Sequence, residues 1–330
     1  MTALHETPAG VTAKRASTGA GVAGVPALLP LLRELNDLKR IRVADRQGSI
    51  AERLFLRSWA RLVRGDDPRT VALSEAAHAV ASARLAGIDA RVMEAAGLAS
   101  EERRTVLERG LASFEDVLDS ALFDDLRGAL NPDGVEEANE AGDLAERVPP
   151  FALSLAKQPR AGATRPGYAR VVLEPTENHA EHCAIVAVNG VVAAPLYGAD
   201  PAAAFMTGLC HHFHNARLPD AGDAGDHLLG DQLQAVMETF RFMAIAELPP
   251  TLQQPARDSL DAVFRADVPE AMAFQTADVL DRALEMEWHA RSAAFTLDVA
   301  LHDMDIVHPG PVQAAQQEIM RAAGLLNSDE

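Results

Sequence analysis

The stretch "GLCHHFHNARLPD" at 208–220 places His211, His212 and His214 within four positions, with Cys210 in front and an acidic, glycine-bearing loop behind. The chain has 11 histidines in 330 residues. Chance would put three of them into some four-residue window about one time in forty. Imidazole at such density suits two tasks: it ligates divalent transition metals through a neutral ring nitrogen, and it moves protons near neutral pH. Further donors lie in the same half of the chain. "ENHAEHC" offers His179 and His182, three apart and able to share a helix face, and "AFQTADVLDRALEMEWHA" offers Asp278, Asp281 and Glu285. Ligands from three separate helices can converge on one ion inside a bundle.

The elements that must position these residues read as helices. Ala, Leu, Glu and Arg dominate the composition and aromatics make up only 5%, which favours helix. Residues 1–25, small and Gly/Thr-rich, read as a flexible tail. Residues 26–130 read as an N-terminal helical domain, a succession of amphipathic patterns with cap and stop signals such as Ser100 and the glycine after "RLVR". Residues 131–173 read as an acidic, turn-rich linker followed by a basic loop. Residues 174–330 form the domain that holds the histidines, with helices expected at about 180–195, 201–214, 227–247, 255–265 and 270–302 and a last amphipathic helix near the end. The fold class is all-α, with neither a Rossmann fingerprint nor a P-loop.

The formal net charge of −18 excludes a broad grip on a nucleic-acid polymer, which needs a basic face. It leaves room for a small anionic substrate, because a metal ion or a few arginines can reverse the local field. Arg160, Arg165 and Arg170 sit on loop-like sequence and are candidates for such an anion; solvated surface arginines are the plainer alternative. Two cysteines, Cys183 and Cys210, make no disulfide framework and fit a reducing cytoplasm, as buried core residues. The N-terminus lacks a signal-peptide pattern. The apolar run at 183–196 is shorter than a bilayer span and carries Asn189, so a buried helix rather than a membrane helix is expected. His78, in an alanine-rich helix, reads as a packed or surface residue.

Together these motifs resemble the HD-domain superfamily of metal-dependent phosphohydrolases, in particular its nucleotidase-like branch. "ENHAEHC" stands where that family has its first histidine, giving His182. "GLCHHFHN" stands where its His-Asp pair belongs, giving His211, and "TADVLDRALE" stands where its last aspartate belongs, giving Asp278. The resemblance covers about residues 174–302. It implies an HD-like helical bundle preceded by an additional helical domain that covers the site or mediates assembly into a homo-oligomer.

Two departures stand out. His212 occupies the position of the family's aspartate, and Asn215 that of a glutamate thought to handle protons. The implied ligand set is His182, His211, His212 and Asp278 around one divalent transition metal ion (Fe, Mn, Co or Zn), with His214 as the alternative to His212. A second metal is disfavoured, since a neutral imidazole has one free lone pair and cannot bridge as a carboxylate does; His227 with Asp231 could still serve one, and Asp223 or Asp226 could replace the missing bridge. Asn215 cannot act as a base, so the proton acceptor would come from Glu181 or Asp223, with Asp220 and Asp226 as further candidates. Arg165 and Arg170 would bind the substrate's anion. Three functions follow: hydrolysis of a small phosphorylated compound, an iron- and O₂-dependent oxidation on the same scaffold, or a divergent, non-catalytic binding module.

Overall fold

A computed structural model describes residues 10–133, 147–167, 170–263, 265 and 267–293. The chain runs α1 (Gly10–Asp37), α2 (Ile50–Arg64), α3 (Pro68–Leu85), α4 (Ala90–Ala95), α5 (Ser100–Ala112), α6 (Ser120–Ala129), α7 (Pro150–Lys157), α8 (His179–Tyr197) and α9 (Pro201–Cys210). A 3₁₀ turn (Phe213–Ala216) leads to α10 (Gly222–Leu229), α11 (Leu233–Ala246), α12 (Pro250–Ala262) and α13 (Pro269–Ala293). The fold is all-α: the described residues contain only two isolated bridges, Pro159 with Asn178 and Ala163 with Val171.

Side-chain caps set the starts of these helices. Ser49 accepts the Glu52 N–H at 3.1 Å and Asp67 the Thr70 N–H at 2.9 Å, each filling one of the orphan donors of a first turn. Glu75 on α3 is fully buried. Its carboxylate takes Arg57 Nε at 3.0 and 3.1 Å, Arg57 Nη2 at 2.6 Å and Arg61 Nη1 at 3.1 Å, which locks α2 to α3 through one buried acid.

Helix α8 is enclosed along most of its length: every residue from His179 to Ala194 is buried. Among the described residues it is the one helix long and apolar enough to cross a membrane, and most of that span is enclosed by the surrounding protein. Helices α1, α2, α3, α7 and α9 all pack against it. One hydrophobic core runs from Leu28 and Trp59 through Phe151 and Val188 to Leu284. The expected domains at 26–130 and 174 onward therefore share a core, and the residues to Leu284 form a single compact unit. Glu285 begins a second unit, described through Ala293, in which His289 Nε2 lies 3.0 Å from Glu285 Oε1.

The expected flexible tail needs correction over its described part, where the backbone is helical from Gly10. Gly21 and Gly24 serve close packing. A Cβ at Gly21 would run into the Tyr197 ring, and one at Gly24 would lie 2.6 Å from Leu196 Cδ2. Small residues let α1 approach the end of α8, so composition that reads as flexible belongs to a tight helix contact. Residues 1–9, most of the acidic linker, His302, His308 and the last expected helix lie outside the described residues.

Candidate metal centre

Helix α8 starts at a reciprocal capping box. Asn178 Oδ1 accepts the Glu181 N–H at 2.9 Å, and Glu181 Oε2 accepts the Asn178 N–H at 2.9 Å. This occupies Glu181, a candidate base in the sequence. Its carboxylate completes the helix N-terminus and reaches Arg42 at 3.5 Å. Burial raises its pKa, against the lowering effect of the cap. The next residue, His182, is fully buried and turns toward α13.

Helix α9 stops at Cys210, earlier than the periodicity suggests, because the chain must turn to splay its histidines. His211 caps the helix, His212 lies in the turn, and a 3₁₀ turn carries His214. Phe213, fully buried between them, anchors the turn against Phe151 at 4.6 Å and Trp59 at 5.5 Å between ring centroids. Gly208 brings α9 onto α8: a Cβ there would lie 2.5 Å from Ala187 Cα.

Three donor atoms from α8, the end of α9 and α13 converge. His182 Nε2 and His211 Nε2 are 3.1 Å apart; Asp278 Oδ1 is 3.4 Å from the first and 4.0 Å from the second. The other ring nitrogens fix both tautomers. His211 Nδ1 lies 2.7 Å from the Gly208 carbonyl, and His182 Nδ1 lies 2.7 Å from Asp281 Oδ2. Each Nδ1 therefore carries a proton, and in the neutral rings both Nε2 lone pairs face the same point, beside a carboxylate oxygen. Such an arrangement needs a cation between the donors.

The donor set fits a divalent transition metal. An ion bonded at about 2.1 Å to three donors spaces them roughly 3.0–3.4 Å apart, so two edges fit as they stand and the third closes by about half an ångström. Without a metal the cation is a proton on His182. Burial and Arg160 depress the pKa of this imidazole, but hydrogen bonds to Asp278 and Asp281 raise it above its ordinary value overall. His211 is pushed down to about 3, by burial and then by His182. Asp278 is held well below the usual carboxylate range, because its hydrogen bond and charge interaction with His182 outweigh burial.

His212 stands beside this triad, its ring nitrogen within 4.8 Å of the His182 and His211 donor atoms. Its lone pair is already engaged. His212 Nδ1 donates to Asn215 Oδ1 at 2.7 Å, and Nε2 accepts from Arg160 Nη1 at 2.8 Å. His212 ligates only where Arg160 withdraws. Asn215, in place of an acid, fixes the His212 tautomer and donates to the Leu218 carbonyl at 3.1 Å.

A second polar layer lies over the triad. His179 is fully buried with neither ring nitrogen hydrogen-bonded; Asp220 Oδ2 is 3.6 Å from its Nε2, and its ring centroid is 4.7 Å from that of His212. His214 is buried with Nδ1 unpaired. Burial drives the pKa of both far down, aided by Arg160 at His179 and by Arg241 at His214, so both are neutral. Of the acids considered from sequence, Asp220 is the one that reaches the histidines. Asp223 is exposed in the first turn of α10, and His227 and Asp231 are exposed as well. Of the arginines, Arg160 reaches the site. Arg165 is exposed, and Arg170, also exposed, donates to the carbonyls of Ala161 at 3.3 Å and Ala221 at 3.2 Å, pinning the loop.

Behind His182 lies a network with no local sequence signal. Lys39, only 3% exposed in the turn that follows α1, places its Nζ 2.7 Å from Asp281 Oδ1 and 2.6 Å from Glu177 Oε1. The two carboxylates flank His182 Nδ1, at 2.7 Å for Asp281 and 3.9 Å for Glu177. Cys183 and Cys210 are buried free thiols with pKa values raised by burial.

Comparison with protein-family models, with curated proteins and with solved structures gives no match. The chemistry of the site therefore rests on its own geometry.

Proposed function

We propose that this protein is a metal-dependent hydrolase of small phosphorylated compounds, a divergent HD-like enzyme in which His182, His211 and Asp278 hold one divalent transition metal ion. The observation that carries the reading is the pair of Nε2 lone pairs 3.1 Å apart beside Asp278 Oδ1, each ring fixed by an acceptor at Nδ1. A divalent ion supplies Lewis acidity toward a phosphoryl oxygen and makes water more acidic.

The chain's own residues do the rest. Arg160, 18% exposed, meets one carboxylate, Glu177, at 3.8 Å and otherwise donates to the neutral His212. Its charge is only partly neutralised and receives the phosphate. His179, whose Nε2 faces Asp220 Oδ2 at 3.6 Å, accepts the proton from water at its other ring nitrogen, Nδ1; the Asp220 carboxylate stabilises the imidazolium that forms. The elements packed around α8, with Phe213, hold the histidines fixed in a low-dielectric surrounding, which strengthens these interactions.

Elemental analysis of the purified protein after expression with Mn, Fe, Co and Zn supplied tests the proposal, together with phosphate release from a panel of phosphomonoesters. One metal per chain, lost in His182→Ala and Asp278→Ala along with phosphate release, is expected; a metal-free protein overturns it. A second reading has one observation in its favour. Two histidines and one carboxylate are also the donor set of non-haem iron oxygenases, and iron-dependent O₂ consumption without phosphate release would select it.

A further inference from the structure

Helix α1 belongs to a part of the chain outside the HD resemblance, yet it delivers a buried ammonium to the back of a proposed metal ligand. Lys39 and Asp281 are 242 residues apart in sequence, and both are almost fully enclosed. A lysine this deep is held only by paired charge, and here two carboxylates supply it, Glu177 at 2.6 Å and Asp281 at 2.7 Å. The donor atoms of Glu177, His182 and Asp281 lie within 4.8 Å of one another, close enough to hold a metal ion. The ammonium fills that cation position. Arg160 also faces the network, 3.8 Å from the other Glu177 oxygen.

We propose that Lys39 is a positioning residue of the metal centre: its ammonium is the resident cation of the Glu177–Asp281 pair, holding Asp281 as the charged acceptor of the His182 Nδ1–H and so presenting the His182 Nε2 lone pair to the ion. This rests on the metal reading above. The line of action is Lys39 Nζ, Asp281 Oδ2, His182 Nδ1, then Nε2, with contacts of 2.8 and 2.7 Å. An imidazole that donates to an ionised carboxylate is a better electron donor at its other nitrogen, and loss of such outer partners typically costs about 10–100-fold in metal affinity. With Lys39 in place, the second carboxylate cluster takes no further ion, and the chain binds one.

The test is Co²⁺ titration of the metal-stripped full-length protein, read by calorimetry and by the visible d–d absorption of the ion. Lys39→Met should bind Co²⁺ at least about tenfold more weakly than wild type. Lys39→Ala should behave alike, and propylammonium, which replaces the missing three carbons and ammonium, should restore affinity where propanol does not. Asp281→Asn reaches the same line from the other side; its loss should be non-additive with that of Lys39→Met. If Lys39→Met fails to fold, Lys39→Ala with propylammonium carries the test. Wild type that binds Co²⁺ together with Lys39 variants that bind it within twofold overturns the inference, as does binding of two ions per wild-type chain. Wild type that binds no Co²⁺ fails the metal reading instead.

Discussion

Gly208→Ala offers a test in which two physical effects have opposite signs. Inside a helix, alanine in place of glycine ordinarily stabilises by about 1 kcal/mol. At position 208, however, the new Cβ would lie 2.5 Å from Ala187 Cα, 2.6 Å from Ala187 N and 2.9 Å from Ala187 Cβ. The obstacle is the backbone of α8, which cannot rotate away as a side chain can. Restoring a carbon–carbon contact of about 3.5 Å requires α8 and α9 to separate by roughly 1 Å. Overpacking of this kind costs about 3 kcal/mol, which leaves a net loss of about 2 kcal/mol after the propensity gain. At about 2.1 cal/mol/K per residue the 284-residue unit unfolds with an entropy of about 0.6 kcal/mol/K, so the melting temperature should fall by about 3 °C. The same separation acts on His211, whose Nδ1 is tied to the Gly208 carbonyl and whose Nε2 faces His182 across 3.1 Å. Metal–ligand bonds tolerate about 0.2 Å, so Co²⁺ affinity should fall at least tenfold. Gly128→Ala, on α6 with nothing within 4 Å of its Cβ, is the control and should raise the melting temperature by about 1–2 °C. Differential scanning calorimetry and Co²⁺ titration of the three proteins decide it. A Gly208→Ala protein that melts at or above wild type and binds Co²⁺ equally would refute the reasoning.

Other perturbations separate structural from chemical roles. Glu75→Gln leaves Arg57 and Arg61 buried against a neutral amide and should cost about 3–5 kcal/mol, seen as an earlier chemical-denaturation midpoint. The charges of Arg57 and then Arg61 hold the Glu75 pKa below its ordinary value despite full burial. Its stabilising contribution is thus complete at neutral pH and is lost as pH falls through the lowered folded-state value, so wild type should lose more stability below about pH 4 than Glu75→Gln does. Arg160→Met should keep its metal yet bind inorganic phosphate at least tenfold more weakly, measured by inhibition or calorimetry; unchanged phosphate affinity would remove Arg160 from the anion site. Glu181→Gln preserves the capping box and should retain full metal content, whereas a metal-free variant would mean that Glu181 does more than cap.

The sequence was legible where chemistry repeats locally. Order and context pick out His182, His211 and Asp278, and the structure brings their donor atoms within 4.0 Å of one another. The all-α class and the buried reading of 183–196 likewise follow from periodicity and composition, since helix propensity and apolar runs are local properties. Other features depend on partners remote in sequence. Nothing near "NDLKRI" marks Lys39 as a buried cation, because its acids lie at 177 and 281. Glu181 next to His182 resembles a base until the helix start claims its carboxylate. The glycines at 21 and 24 resemble flexibility until α8 is packed on them. His212 could be read as a ligand from its neighbours, but only the placement of Arg160 shows its lone pair already accepting a hydrogen bond.

A small satellite cluster joins Val186 on α8 to Val263 and to Phe274 and Ala277 on α13, the helix whose Asp281 meets His182. Those partners are translated late. At about 5–20 residues per second, the ribosome needs about 4–17 seconds to go from the end of α8 at Tyr197 to Asp281. Once α9 has been made, α8 keeps an open flank for the rest of that interval, and His182 lacks the acid that orients it. A metal held by His182, His211 and Asp278 would therefore load only at the end of synthesis, and until then the Val186 face of α8 would stay uncovered.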